Sequence, residues 1–325
     1  MELFYEQMTI NKEDKIYIAG HRGMVGSAIL KKLTQEGYHN TLFRTSNELD
    51  LRDQKKVLDF FQDEKPHVVI MAAAKVGGIM ANDTYPYDFL HDNLIIQDNI
   101  IHSSHQAGVS NLVFLGSSCI YPKFATQPLR EDSLLTGELE STNQWYAIAK
   151  IVGVKLCDSL RKQHGRDYFS LMPTNLYGPG DNFDLNTSHV LPAMIRKFHE
   201  AKMNNHQTVT LWGSGTPRRE FLYVEDVADA VLFSLRNKLD KNLYNIGTGK
   251  DITIAELATL IQSITEHKGE IIWDTSMPDG TPRKLMDTTR LEKEGWTYST
   301  ELEDGINRTY QWYKKNRNKI REVQF

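Results

Sequence analysis

Tyr146 and Lys150 stand four residues apart in Tyr146-Ala-Ile-Ala-Lys150, so on a helix they share one face, a turn apart. An ammonium beside a phenol favours the phenolate and makes the pair usable for proton transfer near neutrality. The spacing alone is weak. A second match, Tyr310–Lys314, lies on a charged C-terminal stretch with no glycine loop or strand end near it, and reads as surface. What sets Tyr146 apart is its upstream context. The apolar run Asn111–Leu115 leads directly into Gly116-Ser117-Ser118-Cys119-Ile120-Tyr121-Pro122. Small hydroxyls just beyond a strand end can donate to a substrate carbonyl oxygen.

A second constellation is Gly20-His21-Arg22-Gly23-Met24-Val25-Gly26, between the strand-like Lys15–Ala19 and the helical stripe of Met24–Gln35. Glycine is needed where a backbone turns tightly and where a diphosphate must approach main-chain N–H groups, and the helix start then offers free donors. The spacing points to a dinucleotide. An NAD site usually carries a carboxylate at the end of the next strand. Here that stretch reads Phe43-Arg44-Thr45-Ser46, with no carboxylate before Glu48. A guanidinium fork suits a 2′-phosphate, so Arg22 and Arg44 favour NADP(H). No cysteine pair or His-Glu-x-x-His string has metal-ligand spacing, and no metal is expected.

These groups need a scaffold. Lys15–Ala19, Thr41–Phe43, His67–Ala72, Asn111–Leu115 and Tyr168–Met172 read as short, largely apolar strands. Helical patterns alternate with them at Met24–Gln35, around Val57, Leu58 and Phe61, at Phe89–Ala107 and at Tyr146–Arg161. Strands apolar on both faces, alternating with helices, predict a Rossmann-like doubly wound parallel sheet of the α/β class. After Pro173 the pattern changes. Asn175–Asn186 and Trp212–Arg219 read as loops, Val190–Lys202 as a helix, Leu243–Ile246 as a strand returning to the main sheet. Ile254–Ile264 and Glu303–Lys315 read as helices, and Met277–Lys284 as a loop rich in charge and proline. The expected division is a leader at 1–14, a cofactor domain over 15–175 with a return around 221–250, and a smaller, partly interleaved substrate-binding domain over 176–220 and 251–325.

Composition excludes other classes. The chain has 325 residues, 40% apolar and 25% charged, with 38 Lys and Arg against 42 Asp and Glu for a net charge of −4. It is too apolar for wholesale disorder and lacks the positive surplus of a nucleic-acid binder. The longest uninterrupted apolar run, Val68–Ala74, is far short of the roughly 20 residues that span a bilayer. The first residues carry Glu2, Glu6, Glu13 and Asp14 and no apolar signal core, so a cytoplasmic setting is expected. Cys119 and Cys157 are too few for a disulfide framework.

Gly20-x-x-Gly23-x-x-Gly26, the Ser117 loop and Tyr146-x-x-x-Lys150 together resemble the extended short-chain dehydrogenase/reductase family. The longer strings GHRGMVGSAI, AAAKVGGI, FLGSSCIYP, YAIAKI, PTNLYGP, WGSGTPRREF and PDGTPRK run in order from residue 20 to residue 284. They resemble, more narrowly, the GDP-L-fucose synthase family. That resemblance implies a two-part reaction on GDP-4-keto-6-deoxy-D-mannose: epimerisation at C3 and C5, then NADPH-dependent reduction at C4. It implies that Tyr146 donates the proton in the reduction, that Lys150 lowers its pKa and binds the nicotinamide ribose, and that Ser117 bonds the 4-keto oxygen. Cys119 and His189 match the acid–base pair of the epimerisation. Leu115, Gly116, Ser118, Pro173, Thr174, Asn175 and Leu176 join the glycine loop around the cofactor. Lys197, Trp212, Arg219 and Asp279 match substrate-binding positions. The family often has Arg at Lys197, and some members have Arg at Ser46, which shifts the cofactor phosphate toward Arg22 and Arg44. The resemblance also implies a homodimer joined through the two long helices.

The chemistry is coherent. A C4 ketone acidifies the protons at C3 and C5, and a thiol with an imidazole brackets neutrality. Two alternatives stand beside it. A sugar-nucleotide 4-epimerase or 4,6-dehydratase would retain NAD, and a dehydratase would want carboxylates where Ser118-Cys119-Ile120 stands. A non-catalytic NADP(H)-sensing regulator would have no need of Ser117, Tyr146 and Lys150 together.

Overall fold

The computed structural model describes residues 10–185, 187–277 and 279–319. Residues 1–9 of the expected leader lie outside that range, as do Asn186, Pro278 and 320–325.

The first half alternates strand and helix: β1 (Ile16–Ala19), α1 (Met24–Gln35), β2 (Thr41–Leu42), α2 (Gln54–Glu64), β3 (Val68–Met71), α3 (Ile79–Thr84), α4 (Pro86–Gln106), β4 (Asn111–Leu115), α5 (Gln144–His164) and β5 (Asp167–Pro173). Then come β6 (Asn175–Tyr177), α6 (Val190–Met203), β7 (Thr208–Trp212), β8 (Arg218–Tyr223), α7 (Val224–Arg236), β9 (Leu243–Ile246), β10 (Asp251–Thr253), α8 (Ile254–Thr265), β11 (Glu270–Asp274), β12 (Arg283–Lys284), α9 (Thr289–Lys293) and α10 (Leu302–Asn316).

The main sheet has six parallel strands in the order β2-β1-β3-β4-β5-β9. Its residues alternate between two buried faces. Ile16, Ile18, Val68, Ile70 and Val113 face α1 and α7, where Ile29, Leu33, Val227 and Val231 cover them. Tyr17, Val69, Met71, Leu112 and Phe114 face α2, α4 and α5, where Val57, Phe61, Ile100, Ile101, Ile151 and Val154 cover them. Both faces are dry, which is why the strands read as unbroken apolar runs. A separate cluster joins α6, α8 and α10 through Phe198, Leu257, Ile261, Ile306 and Tyr310, with Val209 and Leu211 from β7, so Tyr310, expected at the surface, is buried because α10 packs its stripe against α8.

The short strands β6, β8, β10 and β12 form a second sheet, and β7 pairs with β11. The structure therefore opens the expected loop at Asn175 with a strand and puts Arg218 and Arg219 on β8. Their pairing partners lie tens of residues away, so local pattern hides them. A helix over Val224–Arg236 also went unread from the sequence, although its apolar stripe packs on α1.

Strand order reverses between β1 and β3, and the loops after those two strands, with those after β4 and β5, open onto one side. Ligands of such sheets sit in the crevice at this switch point.

Candidate active site

One cleft of about 1450 Å³ lies over the carboxyl ends of the main sheet. A drug-sized ligand needs roughly 300–1,000 Å³, so this cleft has room for more than one small molecule. Every residue singled out from the sequence for chemistry, cofactor or substrate lines it, from the glycine loop through Ser117, Cys119, Tyr146, Lys150 and His189 to Lys197, Trp212, Arg219 and Asp279.

The glycine loop is a close approach of backbone to backbone. Gly20 has φ +86°, and a Cβ there would lie 2.7 Å from the Ala73 nitrogen. A Cβ on Gly26 would lie 2.2 Å from the Gly20 carbonyl oxygen, whereas one on Gly23 would meet that oxygen at 3.5 Å. Gly23 caps α1 without a side-chain hydrogen bond, which leaves the first N–H donors of the helix for a ligand. Gly26→Ala should therefore push α1 off the loop and destabilise the fold by about 1–3 kcal/mol. Gly23→Ala should melt close to the parent protein. Thermal unfolding of the two variants checks the contrast.

Two arginines were expected at the cofactor phosphate. Arg22 is exposed and, among the described residues, forms no ion pair. Arg44 lines the same region, but its guanidinium bonds the Glu64 carboxylate at 2.7 Å and lies 5.4 Å from the Phe60 ring centre. Lys15 meets the other oxygen of Glu64 at 3.4 Å. That places Arg44 in a structural ion pair and leaves Arg22 as the guanidinium available to a 2′-phosphate.

Tyr146 and Lys150 sit on the first two turns of α5, packed tightly against α4 and β4. A Cβ at Gly153 would strike the Phe114 ring at 2.3 Å, so the helix rests directly on that strand. Gln97 on α4 donates to the Ala149 carbonyl at 2.6 Å and fixes the height of α5. Lys150, 4% exposed, donates to the Leu115 carbonyl at 2.8 Å, and burial lowers it to about 8. Its Nζ is 5.7 Å from the centre of the Tyr146 ring. The expected lowering of the phenol does not appear in this geometry. Burial pushes Tyr146 well up, and Cys119 adds to the rise. The ammonium is turned to the strand-end carbonyl, so desolvation prevails and the phenol holds its proton, which is the form an acid needs.

Ser117 lies at the end of β4, and its Oγ accepts the Cys119 N–H at 3.4 Å. Cys119 is buried and free of any disulfide. Burial raises its thiol against the pull of Lys284, Ser117 and Lys150. His189 is the N-cap residue of α6 and opens onto the cleft; desolvation by the surrounding walls, then Lys284, lowers it. At rest the thiol has a proton to give and the imidazole a lone pair to accept one. Lys284, at the end of PDGTPRK, has no role implied by its motif. It pairs in register with Arg219 on β8, and its field reaches both Cys119 and His189.

At the other end, Lys197 donates to the Thr210 carbonyl at 2.9 Å and stands 5.6 Å from the centre of the Trp212 ring, which is 47% exposed. Asp279 accepts the N–H and hydroxyl of Ser214 at 2.7 and 2.8 Å. Adjacent cations differ. Arg218 and Arg283 are both neutralised by Asp251, while Lys197, Arg219 and Lys284 form no ion pair among the described residues. Cations left without carboxylates in one cleft suit a ligand that carries phosphate.

Several buried polar atoms here also lack partners: His21 Nδ1, Asn82 Oδ1, Asn143 Oδ1, Asp181 Oδ2 and Ser188 Oγ, all on cleft-lining residues. Buried groups in this state call for a ligand or water. With the glycine cradle and Arg22, they fit a phosphorylated dinucleotide.

Comparison with known proteins agrees. The model of the "NAD dependent epimerase/dehydratase family" matches residues 16–247. The chain is 56% identical to GDP-L-fucose synthase 1 of Arabidopsis thaliana over 94% of this chain and 95% of that one. It is 52% identical to the GDP-L-fucose synthase of Escherichia coli over 95% and 99% of the two chains. A crystal structure of a GDP-L-fucose synthetase from Naegleria fowleri bound to NADP superposes with a TM-score of 0.89 at 27% identity, covering 99% of this chain and 100% of that one.

Proposed function

The chain belongs to the NAD dependent epimerase/dehydratase family and, within it, to the GDP-L-fucose synthases, and we propose that it carries out their reaction through the residues gathered in this cleft. The enzyme converts GDP-4-keto-6-deoxy-D-mannose to GDP-L-fucose, epimerising C3 and C5 and then reducing C4. The observation that carries the assignment of residues is the convergence of two acid–base sets, Cys119 with His189 and Tyr146 with Lys150, on one cleft where Arg22, Lys197, Arg219 and Lys284 form no ion pair among the described residues.

The cofactor is NADP(H), held by the glycine loop, the start of α1 and Arg22, with Pro173, Thr174, Asn175 and Leu176 beside it. When bound, NADPH supplies the hydride for C4. The chain's own residues do the rest. Trp212 offers a face to the guanine, and Arg219 and Lys197 meet the diphosphate. Cys119 and His189 move protons at C3 and C5 on opposite faces of the ring, where the C4 ketone stabilises the carbanion as an enolate. Ser117 holds the keto oxygen, and Tyr146 delivers a proton to it as the alcohol forms. Lys150, fixed on the Leu115 carbonyl, keeps a cation beneath the phenol, where it stabilises the phenolate left once the proton has gone to the alcohol. The test is direct: NADPH oxidation should depend on GDP-4-keto-6-deoxy-D-mannose, and its absence with that substrate would remove the reading.

Selectivity for NADPH rests on Arg22 in this account. Arg22→Ala should raise KM for NADPH about 10–100-fold, the value of one or two charge-assisted hydrogen bonds, and leave KM for NADH nearly unchanged. Steady-state kinetics with both cofactors decides it.

We also infer a homodimer through α4 and α5. Trp145, Ile148 and Val152 lie on one face of α5 and are 39, 36 and 37% exposed. On α4, Tyr87 and His91 stack at 5.0 Å. Val152→Asp should shift the protein toward monomer in light scattering while its secondary structure stays intact. Among the described residues no helix is long and apolar enough to cross a membrane, and a cytoplasmic site of action accords with soluble sugar-nucleotide chemistry.

A further inference from the structure

Asp181 has no place in the reaction described so far. It lines the cleft, and the loop that carries it presses on the first turn of α1. A Cβ on Gly180 would lie 3.7 Å from Met24 Cα and 3.9 Å from Ser27 Oγ. The carboxyl is held from one side only. Oδ1 accepts the N–H of Asn182 at 2.8 Å, while Oδ2 is shut off from solvent and meets no donor among the described residues. The charged and titratable groups of the surrounding elements do not answer it. Among the described residues, His21 and Arg22 in the glycine loop and His189 at the start of α6 form no hydrogen bond or ion pair with it, and the neighbouring Gly180 packs against Met24 and Ser27 of α1.

An ionised carboxylate with an orphaned oxygen in such a site is costly, and desolvation pushes Asp181 up to about 7. The first turn of α1 is also where a dinucleotide's diphosphate docks. Beside that diphosphate a carboxylate would repel, whereas a carboxylic acid can donate.

We propose that Asp181 is a cofactor-binding residue that meets NADPH as the protonated acid, its Oδ2 hydroxyl donating to an oxygen of the dinucleotide, so that binding to the ionised enzyme takes up one proton from solution. The proposal rests on the NADPH reading above. It makes cofactor affinity full at pH values where Asp181 of the cofactor-free enzyme holds its proton, below about 7, and weaker as pH rises above that.

NADPH binding, followed by fluorescence from about pH 6.5 to about pH 9, tests this in the whole protein. Wild-type affinity should fall by up to about tenfold per pH unit above neutrality, and D181N, a fixed neutral mimic, should change less than about twofold over the same range. Calorimetry in two buffers of different ionisation heat, near pH 8 where the free and bound 2′-phosphate are both ionised, should count close to one proton taken up by wild type and none by D181N. Equal pH slopes in the two proteins would overturn the proposal. So would a D181N that melts like wild type yet fails to bind at any pH. If D181N does not fold, the wild-type proton count still decides, and a value near zero overturns the idea. A wild type that binds no NADPH at any pH would instead remove the cofactor reading itself, and this proposal with it.

Discussion

A Tyr146→Phe enzyme should consume NADPH about 10²–10⁴-fold more slowly than the parent, the range for removing a positioned proton donor. It should still exchange solvent protons into the substrate at C3 and C5. The first part follows from the phenol's state. Burial keeps Tyr146 protonated, and Lys150 beneath it is fixed by the Leu115 carbonyl at 2.8 Å rather than mobile. Removing the hydroxyl takes away the proton that the new alkoxide at C4 requires and leaves the ring, with its edge-on contact to Phe89 at 6.4 Å, in place. Melting temperature and substrate affinity should therefore barely move. The second part follows from the proposed separation of the two acid–base sets, in which Cys119 and His189 would need the ketone but not the phenol. Stopped NADPH consumption with continued deuterium entry is the signature. Equal loss of both activities would mean that Tyr146 also serves the epimerisation.

Cys119→Ser should have the opposite signature. A serine hydroxyl is a far weaker acid than a thiol, so proton transfer at C3 and C5 should fall by about 10²–10⁴-fold. The ketone remains reducible, because Ser117, Tyr146 and Lys150 are untouched. NADPH should still be oxidised, slowly, and the product should be a reduced sugar nucleotide that has not undergone both inversions. The nuclear magnetic resonance couplings of the product's ring protons report this directly. A fully epimerised product at the parental rate would exclude Cys119 from proton transfer. Substitution of Cys157, packed wholly in the core on α5, should instead affect stability alone.

Much of this site was legible because its residues are contiguous in sequence. Gly20, Gly23 and Gly26, Ser117 to Cys119, and Tyr146 with Lys150 each occupy one turn or one strand end, so type and spacing suffice. What escaped depends on contacts across the chain. Arg218, next to Arg219, is spent on Asp251, a pairing that only the register of β8 against β10 creates. Nothing local in sequence shows that Glu64, at the far end of α2, takes the Arg44 guanidinium. Lys284 reaches Cys119 and His189 only because β12 adds to the β8 edge. The raised Tyr146 phenol is likewise a matter of desolvation, which spacing does not report.

The central claim is that one cleft performs both halves of the reaction, in sequence, with separate residues. The most direct measurement is a single turnover of GDP-4-keto-6-deoxy-D-mannose with NADPH in deuterated water, analysed by mass and by position of label. This account predicts GDP-L-fucose carrying deuterium at both C3 and C5, formed with one NADPH oxidised per product. Product free of ring deuterium, or label acquired with no NADPH consumed, would contradict it.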